Sequence, residues 1–246
     1  MPLQNNKVIV TGTGSGLGKF LSEQFAGCFS LSRENKKEVF EKALQIDLII
    51  HCAFNTSKNC DKYQLVKDNL LLTKELCQLN TSSLFKKKFV YISTVDIYNP
   101  VKTDYNILKE YAEAMVRELC QDYLILRCPA LLGKSMRKNN FLKIIEDQNP
   151  QLTLSKESSF NFVTHHDILN VIKNAYEKDL KGTFDVVSSE NATLEQVADI
   201  VSKKCNFGNF CYTTPQIDNQ DIVSNFNFMN KTSIDTIKQF IKENYE

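Results

Sequence analysis

The run Val8-Ile9-Val10-Thr11-Gly12-Thr13-Gly14-Ser15-Gly16-Leu17-Gly18-Lys19-Phe20-Leu21 restricts what this chain can become more than any other stretch. Three apolar residues, two of them valine, suit a strand covered on both faces of a parallel sheet. Leu17, Phe20 and Leu21 then begin helical spacing. The glycines between them let the chain turn sharply and let backbone N–H groups approach a pyrophosphate, whose charge is favoured by the positive end of the following helix. The spacing is T-G-x-x-x-G-x-G, through Thr11, Gly12, Gly16 and Gly18, and not G-x-G-x-x-G. Strand, glycine turn and helix in this order predict a dinucleotide site.

With 246 residues the chain can bury a sizeable core, as one domain or one large domain with a small appendage. A formal net charge of +1 gives no reason to invoke nucleic acid or an anionic membrane as a partner, so any phosphate binding is local. No apolar run approaches the length of a membrane span, and the polar start Pro2-Leu3-Gln4-Asn5-Asn6-Lys7 does not read as a signal peptide. A cytoplasmic protein is expected. The eight cysteines include no C-x-x-C pair and sit mostly in apolar stretches, as reduced core residues do.

Along the chain, Cys28-Phe29-Ser30-Leu31-Ser32-Arg33 reads as the second strand, whose end meets an adenosine ribose. A carboxylate there favours NAD and an arginine the 2′-phosphate of NADP, so Ser32-Arg33 leans to NADP while Glu34 leaves NAD open. A short helix, Lys37 to Gln45, leads to a buried strand, Asp47 to Ala53, with hardly room for the extra strand and helix of a full doubly wound half. His51 reads as a strand-end histidine satisfied by the backbone. A helix from Tyr63 to Leu79 and a strand Lys88 to Ile92 follow. Further on, Thr193 is a helix N-cap before Leu194, Val197, Ala198 and Val201, and Ile234, Ile237, Phe240 and Ile241 line a last helix. The aromatics Phe207, Phe210, Tyr212, Phe226 and Phe228 read as core, with a substrate pocket as the alternative.

Ser93-Thr94-Val95-Asp96-Ile97-Tyr98 ends the Lys88 strand, and a helix opens shortly after with Tyr105-Asn106-Ile107-Leu108-Lys109. Tyrosine and lysine four apart share a helical face. A free phenol, with a pKa near ~10, is a poor base at neutral pH. A lysine ammonium beside it, with a cationic nicotinamide nearby, would bring that value down. A Thr94 hydroxyl at the neighbouring strand end could hydrogen-bond the same substrate oxygen.

With these residues in place the chain resembles the short-chain dehydrogenase/reductase superfamily, in particular its extended branch of nucleotide-sugar epimerases and reductases. The resemblance runs over almost the whole chain. Leu126-Arg127-Cys128-Pro129-Ala130-Leu131-Leu132-Gly133 is similar to the family's L-R-x-x-x-V-Y-G element, Phe162 to Ile168 to F-V-H-V-D-D-V, and Gly182 to Ser188 to G-x-x-Y-N-V-G. It implies an α/β fold: a Rossmann-like doubly wound parallel sheet with a small C-terminal substrate-side appendage. The dinucleotide-binding part would span about 1–127 and 160–188, the substrate-side part about 128–159 and 189–246. Thr94, Tyr105 and Lys109 would be catalytic, with Asn69 helping to order water and lysine. Gly12, Ser15, Gly16, Leu17, Gly18, Ser32, Arg33 and Ala53 would meet the cofactor, and Ser93 and Asn140 the substrate.

The chain also departs from the family. Ser15 stands where the extended branch has glycine, the Tyr98–Tyr105 loop is short, and Phe160 replaces an arginine useful for diphosphate. Val95-Asp96 stands where sugar 4,6-dehydratases carry Asp-Glu, which favours redox chemistry or epimerisation over dehydration. The reading reached is an NADP-preferring reductase of a keto group on a nucleotide-linked sugar. The alternatives are a 4-epimerase with tightly held NAD and a dinucleotide-binding scaffold without turnover. By the same resemblance, the helices Tyr63–Leu79 and Tyr105–Gln121 could pair in a homodimer. Adjacent His165 and His166 lack a third ligand, and no metal is expected.

Overall fold

A computed structural model describes residues 7–32, 34–41, 46–57, 59–81 and 88–246. Among these, six parallel strands form the central sheet: β1 (Val8–Thr11), β2 (Phe29–Leu31), β3 (Leu48–His51), β4 (Lys88–Thr94), β5 (Tyr123–Cys128) and β9 (Gly182–Asp185), in the order β2-β1-β3-β4-β5-β9. Every residue of β1, β3 and β4 is buried, as their near-continuous apolar runs require. The one lysine among them, Lys88, donates to Asp122 at 2.5 Å and to the Leu180 carbonyl at 2.9 Å. Buried charge is tolerated there because it is paired.

Two apolar layers cover the sheet. On one face α1 (Gly16–Gln24) and α7 (His165–Glu177) meet Val8, Val10, Leu48, Ile50 and Val90. On the other, α2 (Lys36–Glu41), α4 (Leu72–Thr81) and α5 (Asp104–Leu119) meet Ile9, Ile49, Phe89, Tyr91 and Ile125. The doubly wound sheet expected from the sequence is present, and among the described residues β2 is its outer strand. The one long helix expected from Tyr63 comes as α3 (Lys62–Val66), a π-helical turn Lys67–Leu71, and α4.

A third apolar cluster lies beyond β5. It is built from β6 (Ala130–Leu132), α6 (Asn140–Glu146), β7 (Ser159–Phe160), β8 (Phe162–Thr164), β10 (Ala192–Thr193), α8 (Leu194–Ile200) and α10 (Ser233–Tyr245), with α9 (Gln220–Asn225) packing back on the first layer. The expected return of 160–188 to the sheet is made by β9; β8 pairs instead with β6. Thr103, Thr164, Thr193 and Thr232 each close a capping box at the start of a helix. The aromatics near the end do not form one cluster: Phe226 and Phe228 pack together, Phe207 joins the third cluster, and Phe210 is exposed.

Candidate active site

A cleft of about 1230 Å³ opens where the C-terminal ends of β1, β3, β4 and β5 converge. In an open parallel sheet this is the side on which ligands bind, at the point where the strand order reverses, here between β1 and β3. Gly12 has φ +73°, and a Cβ there would come within 2.9 Å of the Ala53 nitrogen. A Cβ on Gly18 would come within 2.3 Å of the Gly12 carbonyl oxygen. Only glycine allows the turn, the helix and the end of β3 to approach this closely. Thr11 Oγ1 ties them by accepting from the N–H groups of Cys52 at 3.1 Å and Ala53 at 2.9 Å.

Ser15 is the N-cap of α1, yet its hydroxyl makes no cap hydrogen bond, and the first turn carries no carboxylate. Ser15, Gly16, Leu17 and Gly18 all line the cleft. A cradle that side chains would fill, closed by an uncapped helix start, fits the diphosphate of a dinucleotide. At the far side of the cleft Ser32 and Lys36 form the wall, with the Ser32 N–H donating to Asn35 Oδ1 at 2.8 Å and Lys36 ion-paired to Glu75. Arg33, on which the sequence reading of NADP leaned, lies outside the described residues.

Thr94, Tyr105 and Lys109 come together at the other end of the cleft. Thr94 Oγ1 accepts from the Asp96 N–H at 3.1 Å, which caps the 3₁₀ turn Val95–Tyr98, and its side chain lies near enough to the Tyr105 phenol to oppose the effect of burial on it. Burial pushes Tyr105 up to about 12, against Thr94 and with the Asp96 charge. Lys109 donates to the Ile92 carbonyl at 2.6 Å and lies over the rings of Phe54 and Tyr91 at 4.3 and 4.8 Å. Burial brings its ammonium down to about 8.

Three other expected residues are placed differently. Asn69 sits in the π turn, where its Oδ1 accepts from the Asn55 N–H at 2.7 Å and its Nδ2 donates to the Asn55 carbonyl at 3.0 Å. Its own carbonyl accepts the Thr73 hydroxyl at 2.6 Å. The bonds to Asn55 tie Asn69 to the loop after β3. Ser93 borders the cleft, but its hydroxyl donates to the buried Glu113 carboxylate at 2.6 Å. Asn140 opens α6, and it is Asn139 that lines the cleft, its Oδ1 capping α6 through the Leu142 N–H at 3.0 Å.

Sequence reasoning missed several contributors. Glu113 receives Arg127 through Nε at 3.0 Å and Nη2 at 2.7 Å, so the arginine of the L-R element braces α5 against β5. Burial raises the Glu113 carboxyl, but Arg127 and Ser93 outweigh it and hold the group below its ordinary value. Asp96 accepts the Tyr212 hydroxyl, and Tyr212 stacks on Phe160 with centroids 5.1 Å apart. Phe160 thus presents a ring where the family comparison expects a cation. The Asp96 carboxylate beside Thr94 was visible in sequence; its partner 116 residues away was not.

A sequence model of the NAD dependent epimerase/dehydratase family matches residues 5–148. No curated protein matches the sequence. Solved structures do. UDP-glucuronic acid 4-epimerase from Bacillus cereus in complex with UDP-glucuronic acid and NAD superposes with TM-score 0.73 at 16% identity, over 97% of this chain and 100% of that one. dTDP-4-dehydrorhamnose reductase from Bacillus anthracis in complex with NADP gives 0.76 at 18% identity, over 99% of each chain. ADP-L-glycero-D-manno-heptose-6-epimerase from Helicobacter pylori gives 0.78 at 15% identity, over 98% of this chain and 96% of that one.

Proposed function

The chain belongs to the NAD dependent epimerase/dehydratase family, and from that premise we propose that it is an NADP-preferring oxidoreductase that reduces a keto group on a nucleotide-linked sugar. The observation that carries the reading is that Thr94, Tyr105 and Lys109 line the same cleft as the glycine cradle. A bound nicotinamide supplies or accepts the hydride. Tyr105, a protonated phenol at neutral pH, donates a proton to the carbonyl oxygen as the carbon is reduced. Thr94 hydrogen-bonds the same oxygen and stabilises the charge that develops on it. Lys109 keeps a positive field below the site and, held down to about 8, can return a proton toward it. The NADP preference rests on the sequence at the end of β2, where Ser32 lines the cleft and Arg33 follows it.

Calorimetric titration with NADP⁺ and NAD⁺, followed by turnover of UDP- and dTDP-linked 4-keto sugars, tests the proposal. Tyr105→Phe is expected to keep dinucleotide affinity within about twofold and to lose at least about 10²-fold in kcat, the scale of general acid catalysis. Undiminished turnover in that variant would remove Tyr105 from the chemistry. Tightly retained NAD in the purified protein would favour the 4-epimerase reading, the activity named for the Bacillus cereus neighbour.

We further read the molecule as a homodimer joined through α3, α4 and α5. Tyr63 is 74% exposed, Tyr111 61% and Leu71 45%, an apolar display that a second copy would cover. Sedimentation velocity should give a species of twice the chain mass that Tyr111→Glu dissociates; a monomer at micromolar concentration would refute the pairing.

A further inference from the structure

The glycine turn is overlaid by a segment from the other half of the chain. Between β6 and α6, residues 133–139 cross the start of α1. The Gly16 N–H donates to the Ser135 carbonyl at 2.6 Å, the Ser135 hydroxyl donates back to the Gly16 carbonyl at 3.0 Å, and Arg137 Nε donates to the uncapped Ser15 hydroxyl at 3.2 Å. This strap is anchored at both ends. Before it, β6 is paired with β8, and Gly133 packs so closely on His165 that a Cβ would come within 2.0 Å of the ring; after it, Asn139 caps α6.

An anion seated on the first-turn amides of α1 must therefore touch the strap, because one of those amides already does. Within the described sequence of the glycine turn and α1 the one cation is Lys19, whose side chain is exposed. Among the other cations lining the cleft, Lys36 is paired with Glu75, Lys138 with Asp147, Lys109 is buried at the opposite end, and Lys67 lies on the π turn after α3 and not on the glycine turn. Arg137 has no carboxylate partner among the described residues and is held one hydrogen bond from the N-cap. A planar guanidinium with several donors matches two phosphate oxygens at once.

We propose that Arg137, carried by the Ser135–Arg137 strap, is the counter-charge of the dinucleotide's diphosphate, and that the Ser135 carbonyl holds the Gly16 amide until a phosphate oxygen replaces it. The proposal rests on the dinucleotide reading of the cleft and adds a residue from outside the glycine turn. It makes the loop leading to α6, on the substrate side, part of the cofactor site.

The test is binding, read by calorimetry with NADP⁺ and NAD⁺ and by displacement of NADPH fluorescence with ADP-ribose and with adenosine. Arg137→Gln should weaken both dinucleotides and ADP-ribose by about tenfold or more, leave adenosine within twofold, and flatten the dependence of affinity on salt. Arg137→Lys should recover part of the loss, and Lys138→Gln should change little. Thermal melting of each variant should match the wild type, since Arg137 is exposed. Wild-type affinity in Arg137→Gln, or an equal loss of adenosine binding, would overturn the strap proposal while leaving the dinucleotide site standing. A folded wild type that binds no dinucleotide would overturn both.

Discussion

Both ring nitrogens of His51 are hydrogen-bonded inside the protein, Nδ1 to Thr11 Oγ1 at 2.8 Å and Nε2 to Thr73 Oγ1 at 2.9 Å. The Thr73 hydroxyl donates onward to the Asn69 carbonyl, so it must accept from Nε2–H; Nδ1 is then bare and accepts from the Thr11 hydroxyl. That chain of bonds admits only the neutral imidazole. Burial, with the Lys109 charge adding to it, lowers His51 to about 3. The folded value lies below the unfolded one, so the unfolded chain binds the extra proton between about pH 3 and 6.5, and stability held above pH 6.5 is lost as pH falls through that window. Between pH 7 and pH 5 the loss from this one residue is about 2 kcal/mol. Urea unfolding at the two pH values should show a drop smaller by about that amount in His51→Gln than in the wild type. An equal drop in both would mean that His51 titrates in the folded protein.

Helix α5 shows what an element can and cannot reveal in advance. Tyr105, Lys109, Glu113 and Arg117 recur every fourth residue and share one face. The first two were legible because a phenol and an amine at that spacing after a hydroxyl-bearing strand end have few other uses. Glu113 was not, because its partners Ser93 and Arg127 lie on β4 and β5 and only the folded sheet brings them to the helix. Similarly, Thr193 was readable as an N-cap, and Thr103, Thr164 and Thr232 carry the same signature of a polar partner three residues on. The π turn at Lys67–Leu71 left no trace in the sequence, since neither proline nor glycine marks it. The contact of Asn69 with Asn55, made from that turn, was therefore not legible either.

At the scale of the whole molecule, the parallel sheet and its cleft were legible because every buried strand is a compact apolar run and the glycine turn names the first of them. The way the C-terminal cluster reaches the site was not. Residues 206–214 are laid along 151–159 by isolated bridges at Gln151–Asn206, Leu154–Phe210 and Ser159–Thr213, and this alignment delivers Tyr212 to Asp96. One side of that hydrogen bond is the turn capped by Thr94; the other is stacked on Phe160 of β7. The bond thus ties the third apolar cluster to the Val95–Tyr98 turn, and Tyr212→Phe would cut it while keeping the ring stack. A hydrogen bond to a charged group contributes about 1.5–3 kcal/mol, less where water reaches it, so a loss of about 1–2 kcal/mol is expected. Hydrogen exchange should accelerate together at Asp96–Tyr98 and in 206–214, while β1 and β3 keep their protection. Acceleration confined to 206–214 would mean that the Val95–Tyr98 turn is held by Thr94 and α5 without Tyr212.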